Sequence, residues 1–188
     1  MALAACDDGG TSKPSACTPV GDGAAPAVVE LVEIGEDGAF HTISDGGEIH
    51  LQRPLQGGHV VYIGARVTGI CVDQVAITGR IRDLATRRVV AKETRQGLAL
   101  DDRGDGTALP HEATLGDVAN IALCPDLTGD TDVMGTTFTL ELEVADTAGR
   151  VAQASARVTP VCGQTEGSPE RSTCECECRI GAQNGGCG

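Results

Sequence analysis

The sequence predicts an all-β fold, a sandwich of antiparallel sheets, and three observations carry that expectation. Through the middle of the chain, apolar residues recur with the two-residue period of a strand rather than the period of a helix. Turn signals rich in Gly and Asp cut that region into short segments. The chain of 188 residues has nine cysteines but only Phe40, Tyr62 and Phe138 as aromatics, so its core is small-residue and gains from disulfides.

In chain order, residues 7–26 read as a flexible linker rich in Gly, Ala, Pro, Ser and Asp. The domain is expected over 27–162, with weaker strands at 27–34 and 47–53. In 59–68, Val61, Ile63, Ala65 and Val67 share one face, with Val60, Tyr62, Arg66 and Thr68 on the other. In 74–82, Val75, Ile77 and Ile81 alternate with Gln74, Thr78, Arg80 and Arg82. Weaker strands follow at 86–95 and 118–124. In 137–145, Phe138, Leu140, Leu142 and Val144 alternate with Thr137, Thr139, Glu141 and Glu143. In 150–158, Ala152, Ala154, Ala156 and Val158 form the apolar face. One oily and one wet face is the pattern of sheets that pack on a second sheet. Turns are expected at Asp45-Gly46-Gly47, Gln56-Gly57-Gly58, Asp101 to Gly106 and Asp146 to Gly149. No amphipathic helix is predicted beyond one turn within 111–118, and 163–188 reads as a polar, Cys-rich tail.

The last two strands carry a more specific signature. The run Thr137–Val144, then Ala145-Asp146-Thr147-Ala148-Gly149-Arg150, then Val151–Val158, resembles the closing hairpin of bacterial immunoglobulin-like domains. That resemblance spans about 25 residues and implies an immunoglobulin-like sandwich. The chain departs from antibody domains, having no Trp and no Cys-Trp-Cys pattern. The resemblance therefore implies architecture and no antigen-binding role.

At the N-terminus, Leu3-Ala4-Ala5-Cys6 resembles the lipobox of bacterial lipoproteins: an aliphatic residue, two small ones, then the cysteine that becomes lipidated. The polar stretch 7–15 suits a tether from membrane to domain. Five residues precede Cys6, fewer than the basic start and apolar run of a signal peptide, so 1–6 reads as a truncated leader. The resemblance implies lipidation of Cys6, the membrane as partner through that lipid anchor, and a cell-envelope location, periplasmic or outer-surface. The full layout is similar to uncharacterised surface lipoproteins of large-genome soil bacteria, which implies compartment and fold but no activity.

With Cys6 set aside, eight cysteines remain: Cys17, Cys71, Cys124, Cys162, Cys174, Cys176, Cys178 and Cys187. An even number in an exported chain reads as a disulfide set. Position suggests Cys71 with Cys124, Cys17 with Cys162, and internal pairing of the four tail cysteines. A second reading of Cys174, Cys176, Cys178 and Cys187 is a thiolate metal centre. One-residue spacing and an oxidising compartment set disulfides ahead of it, so no metal or cofactor is expected.

The net charge of −13 repels phosphate and excludes nucleic acid as a natural partner. Asp101–Gly106 has Arg103 where a calcium loop needs an oxygen ligand, and reads as a solvated turn. Asp126, Thr128, Asp130 and Asp132 space oxygen side chains on alternate residues, without the Gly of a calcium turn at Thr131. His41, His50 and His59 lie nine apart, which brings them near one another on adjacent strands, while His111 stands alone. No HExxH or GxSxG pattern accompanies them, so no enzyme is expected. The leading reading is a non-catalytic binding or adhesion module with an extracellular protein or glycan partner, the Asp/Gly-rich segment 96–117 being its first candidate surface. An envelope spacer and a metal-handling tail are the alternatives.

Overall fold

The computed structural model describes residues 17–111, 116–124, 132–179 and 187. Strands β1 (Val28–Ile34), β2 (Phe40–Thr42), β3 (Gly47–Leu51), β4 (His59–Thr68), β5 (Val75–Asp83), β6 (Val89–Leu98), β7 (Leu100–Asp102), β8 (Ala108–Pro110), β9 (Ala119–Cys124), β10 (Phe138–Asp146) and β11 (Val151–Cys162) precede one helix, α1 (Pro169–Glu177). They form an all-β sandwich, as the periodicity predicted. The first sheet runs β2-β1-β4-β8-β7, with β9 also beside β4. The second runs β3-β11-β10-β5-β6. Pairing is antiparallel except for β3, which lies parallel to β11.

The alternating residues do what their period requires. Val61, Ile63, Ala65 and Val67 of β4 are buried with Ile77, Ile81, Phe138, Leu140, Leu142 and Val144 of the second sheet in one core. Each such side chain contributes about 1.5–3 kcal/mol by leaving water. The β5 row Val75, Ile77, Ile81 has a gap at Gly79, and β9 fills it. A Cβ at Gly79 would sit 2.6 Å from Ile121 Cδ1. The two sheets interlock there through an absence on one side and a methyl on the other.

Four expectations are corrected. Val60 and Tyr62 are not on a wet face: they are buried with Ile34 and Val118, and Phe40 packs against them. This second apolar row packs as its own cluster on the face of β4 opposite Val61 and Ile63. Residues 17–26 do not behave as a linker throughout, because Val20 is buried and its backbone bonds to Gly69 and Ile70. The Cys-rich tail is not without regular structure, since α1 forms within it. Ser168 caps that helix by accepting from Arg171 N, and Pro169 starts it. It escaped the periodicity test because Cys174 is its only buried residue. Finally, the segment 96–117 is no open loop over its whole length: β6 extends to Leu98, and β7 and β8 pair as a hairpin.

The Asp146–Arg150 turn explains its own sequence. Asp146 is buried, and its Oδ1 accepts from Ala148 N and Arg150 N, while Oδ2 accepts from Cys71 N. Gly149 takes a positive φ of 83°, which costs glycine nothing. Arg150 then donates to Gly69 O. One carboxylate thus closes the hairpin and fastens it to the chain that follows β4.

Candidate functional site

All eight cysteines downstream of Cys6 are paired, but not as position suggested. The bridges are Cys17–Cys71, Cys124–Cys178, Cys162–Cys174 and Cys176–Cys187. The expected Cys71–Cys124 and Cys17–Cys162 bridges do not form. Cys17 meets Cys71 because the segment around Val20 docks beside Gly69 and Ile70. Of the tail, only Cys176 and Cys187 pair with each other. Cys174 and Cys178, four residues apart, share a face of α1 and its end, and they reach back to β11 and β9. The four-thiol tail centre is therefore split between three bridges.

The histidines separate into two places. His41 and His50 line one pocket of about 470 Å³, as their spacing suggested, and His59 does not join them. The pocket lies where β2 and β3, the edge strands of the two sheets, stand opposite each other. Glu33, Glu36, Asp37 and Glu48 supply four carboxylates to its wall. Glu33 is 5% exposed because it occupies an inward position of β1, in register with Val29 and Leu31. A buried carboxylate needs partners. His50 provides two: its backbone N–H donates to Glu33 Oε2 at 2.9 Å, and its Nδ1 lies 2.7 Å from Oε1. This pair ties the two sheet edges together at the pocket.

His41 and Asp37 form the second pair, with Nε2 at 2.9 Å from Oδ1. The hydrogen bond from His41 holds the Asp37 carboxyl below its ordinary range, and the same contact raises His41. Gly35 makes room for them: a Cβ there would meet Asp37 Oδ1 at 2.7 Å and His41 Nε2 at 2.8 Å. The chemistry on offer is an anionic cleft with two imidazoles, suited to receive a positively charged group.

His59 is 1% exposed at the start of β4, opposite Cys124. Its Nδ1 lies 3.3 Å from Glu177 Oε2, and neither ring nitrogen makes a hydrogen bond. Burial pushes its pKa down, with Glu177 opposing and Arg53 adding to the shift. His59, Cys174 and Cys178 bring one donor atom each within 4.8 Å of one another.

The Asp101–Gly106 candidate resolves as a turn. Asp102 Oδ1 accepts from Gly104 N, and Asp105 Oδ1 accepts from Thr107 N and Oγ1, within the Asp101–Gly106 stretch. His111 Nδ1 sits 2.6 Å from Asp101 Oδ2. Asp126, Thr128 and Asp130, like the lipobox Leu3–Cys6, lie outside the described residues. The sequence signal for both Glu33 and His59 is a polar member in an apolar row: Glu33 follows Val29 and Leu31 at two-residue spacing, and His59 precedes Val61 and Ile63.

Fold and site together define a disulfide-stapled β-sandwich with an anionic edge pocket. Compared with known proteins, the chain matches no family model, no curated protein and no solved structure.

Proposed function

We propose that this chain is a non-catalytic binding module of the cell envelope, anchored by a lipid on Cys6, whose edge pocket receives an amine or guanidinium group of a partner protein. The observation that carries this reading is the pocket of four carboxylates, with Glu33 buried and held by His50. The overall charge of −13 draws cations toward it. A peptide is favoured over a glycan because a sugar ring wants an aromatic platform: Tyr62 and Phe138 are buried, and Phe40, partly buried, packs against the Ile34 and Val118 cluster and does not line the pocket. The four bridges support an oxidising compartment. They use eight of nine cysteines, and Cys6 is the one that remains for a lipid.

Calorimetric titration of the oxidised protein with triarginine, and with tricitrulline as the uncharged control, tests the pocket. Triarginine binds, tricitrulline does not, and neutralising Glu36 and Glu48 together as glutamines weakens binding about tenfold. Glu33 is left intact because it joins the sheets. Equal binding of the two peptides, or indifference to the double substitution, refutes the reading. Intact mass of membrane-derived protein checks the anchor, with acyl chains expected on Cys6.

A further inference from the structure

We infer that reduction of two bridges converts the foot of α1 into a binding site for a thiophilic metal ion, built from His59, Cys174, Cys178 and a third thiolate from Cys124 or Cys162. Three independent observations converge there. His59, Cys174 and Cys178 already hold their donor atoms within 4.8 Å of one another. Cys124 and Cys162 are each one bond away, as the partners of Cys178 and Cys174. His59 is an imidazole 1% exposed, with no hydrogen bond to either ring nitrogen, a costly arrangement that a metal bond would relieve. A thioether completes the set: Met134 Sδ is 3.8 Å from Cys162 Sγ. Thiolate, imidazole and thioether together form a soft donor set, which suits Zn²⁺ and Cu⁺.

The structure also shows what the ion would hold. α1 buries only Cys174, so its attachment comes from bridges, from Arg171, which donates to Cys162 O and Gln164 O, and from Glu177 beside His59 and Arg53. Val133 N, donating to Cys178 O at 3.3 Å, adds one backbone contact. A helix held this way opens locally at small cost, which gives a dithiol access to the sulfurs. Each bridge then takes two electrons and two protons from a dithiol reductant, which leaves as its own disulfide. The thiols that ligate lose their protons to solvent as the ion binds. Bridge and ion are alternative fasteners for one helix. This site differs from a tail centre of Cys174, Cys176, Cys178 and Cys187, because Cys176 pairs with Cys187 outside the His59 cluster.

The test uses the full chain carrying Cys176→Ser and Cys187→Ser, oxidised and after a phosphine reductant, titrated with Co²⁺ as a spectroscopic probe and then with Zn²⁺ and Cu⁺ against chromophoric chelators. One ion binds per reduced chain with a thiolate-to-cobalt charge-transfer band, and none binds the oxidised chain. His59→Ala weakens the ion at least tenfold, while far-ultraviolet circular dichroism keeps its β signal. Met134→Leu separates the two ions: a loss confined to Cu⁺ assigns the thioether to that metal, and no loss assigns the site to Zn²⁺. Equal affinity in the His59→Ala chain overturns the proposal, as does binding only after the β signal is lost, because unstructured thiols would then be the ligands.

Discussion

Placing a methyl at Gly79 should destabilise the protein, and trimming Ile121 should repair it. The glycine sits on the inward row of β5, in register with Leu142 of β10, and faces β9 across the sandwich. An added Cβ would stand 2.6 Å from Ile121 Cδ1 and 3.3 Å from Ala119 Cβ. Ile121 is fully buried, so its methyl has no solvent to turn into. Overpacking of this kind costs about 1–3 kcal/mol. Alanine returns about 0.4–1 kcal/mol by restricting the unfolded chain, which leaves Gly79→Ala about 1–2 kcal/mol less stable. Ile121→Val alone removes that Cδ1 and costs about 0.5–1.5 kcal/mol. In the double variant the new methyl occupies the space of the old one, so the two losses do not add. The expected coupling is about 1–2 kcal/mol in favour of the pair. Urea unfolding of the four oxidised proteins measures it, provided the slope with denaturant is shared by all four. Losses that sum to within about 0.5 kcal/mol would show that the sheets do not interlock at this point.

The bridges should rank by the loop each closes. The chain-entropy relation gives about 4 kcal/mol for the sequence separation of 54 from Cys124 to Cys178 and about 3 kcal/mol for the separation of 12 from Cys162 to Cys174, so paired alanine variants should melt in that order, and the reverse order would discredit it. Acid stability should depend on Asp45, whose carboxyl is held at about 2, first by the Arg157 side chain and then by its backbone N–H. Its folded pKa lies below its unfolded value of 3.8, so the benefit is present above 3.8 and is lost as pH falls through about 2. In Arg157→Leu the backbone bond survives, and an NMR titration should place the Asp45 carboxyl between those limits; an unchanged value would exclude the guanidinium as the cause.

Much of the frame was legible because strand period is a local property. Each strongly alternating segment became a strand with its apolar row inward, from His59–Thr68 to Val151–Cys162. β7 and β8, of three residues each, are too short to show a period. The bridges were illegible for a different reason. Which cysteine meets which depends on where Val20 docks and where α1 returns, and both are long-range facts. The pocket fell between these cases. The spacing of His41 and His50 hinted at it, but the carboxylate that organises it had to be placed by the register of β1 against β4.

Glu33 and His59 break the same rule, each being polar on an inward row, yet the fold treats them differently. Glu33 is satisfied by two contacts from His50, so its burial serves the joint between sheets. His59 has only the Glu177 carboxylate 3.3 Å from Nδ1 and no hydrogen bond, and a buried polar group without one costs about 1–3 kcal/mol. A side chain kept only for stability would be apolar here, since Val61 and Ile63 continue the row. His59→Leu should therefore stabilise the oxidised protein by about 1–2 kcal/mol, read from urea midpoints, while removing the imidazole from the α1 cluster. Glu177 keeps Arg53 at 4.0 Å from Oε1, but its buried Oε2 loses the imidazole beside it, which offsets part of that gain. A loss of more than about 1 kcal/mol would show that the contact with Glu177 outweighs the missing hydrogen bonds and that His59 is held in place by the fold alone.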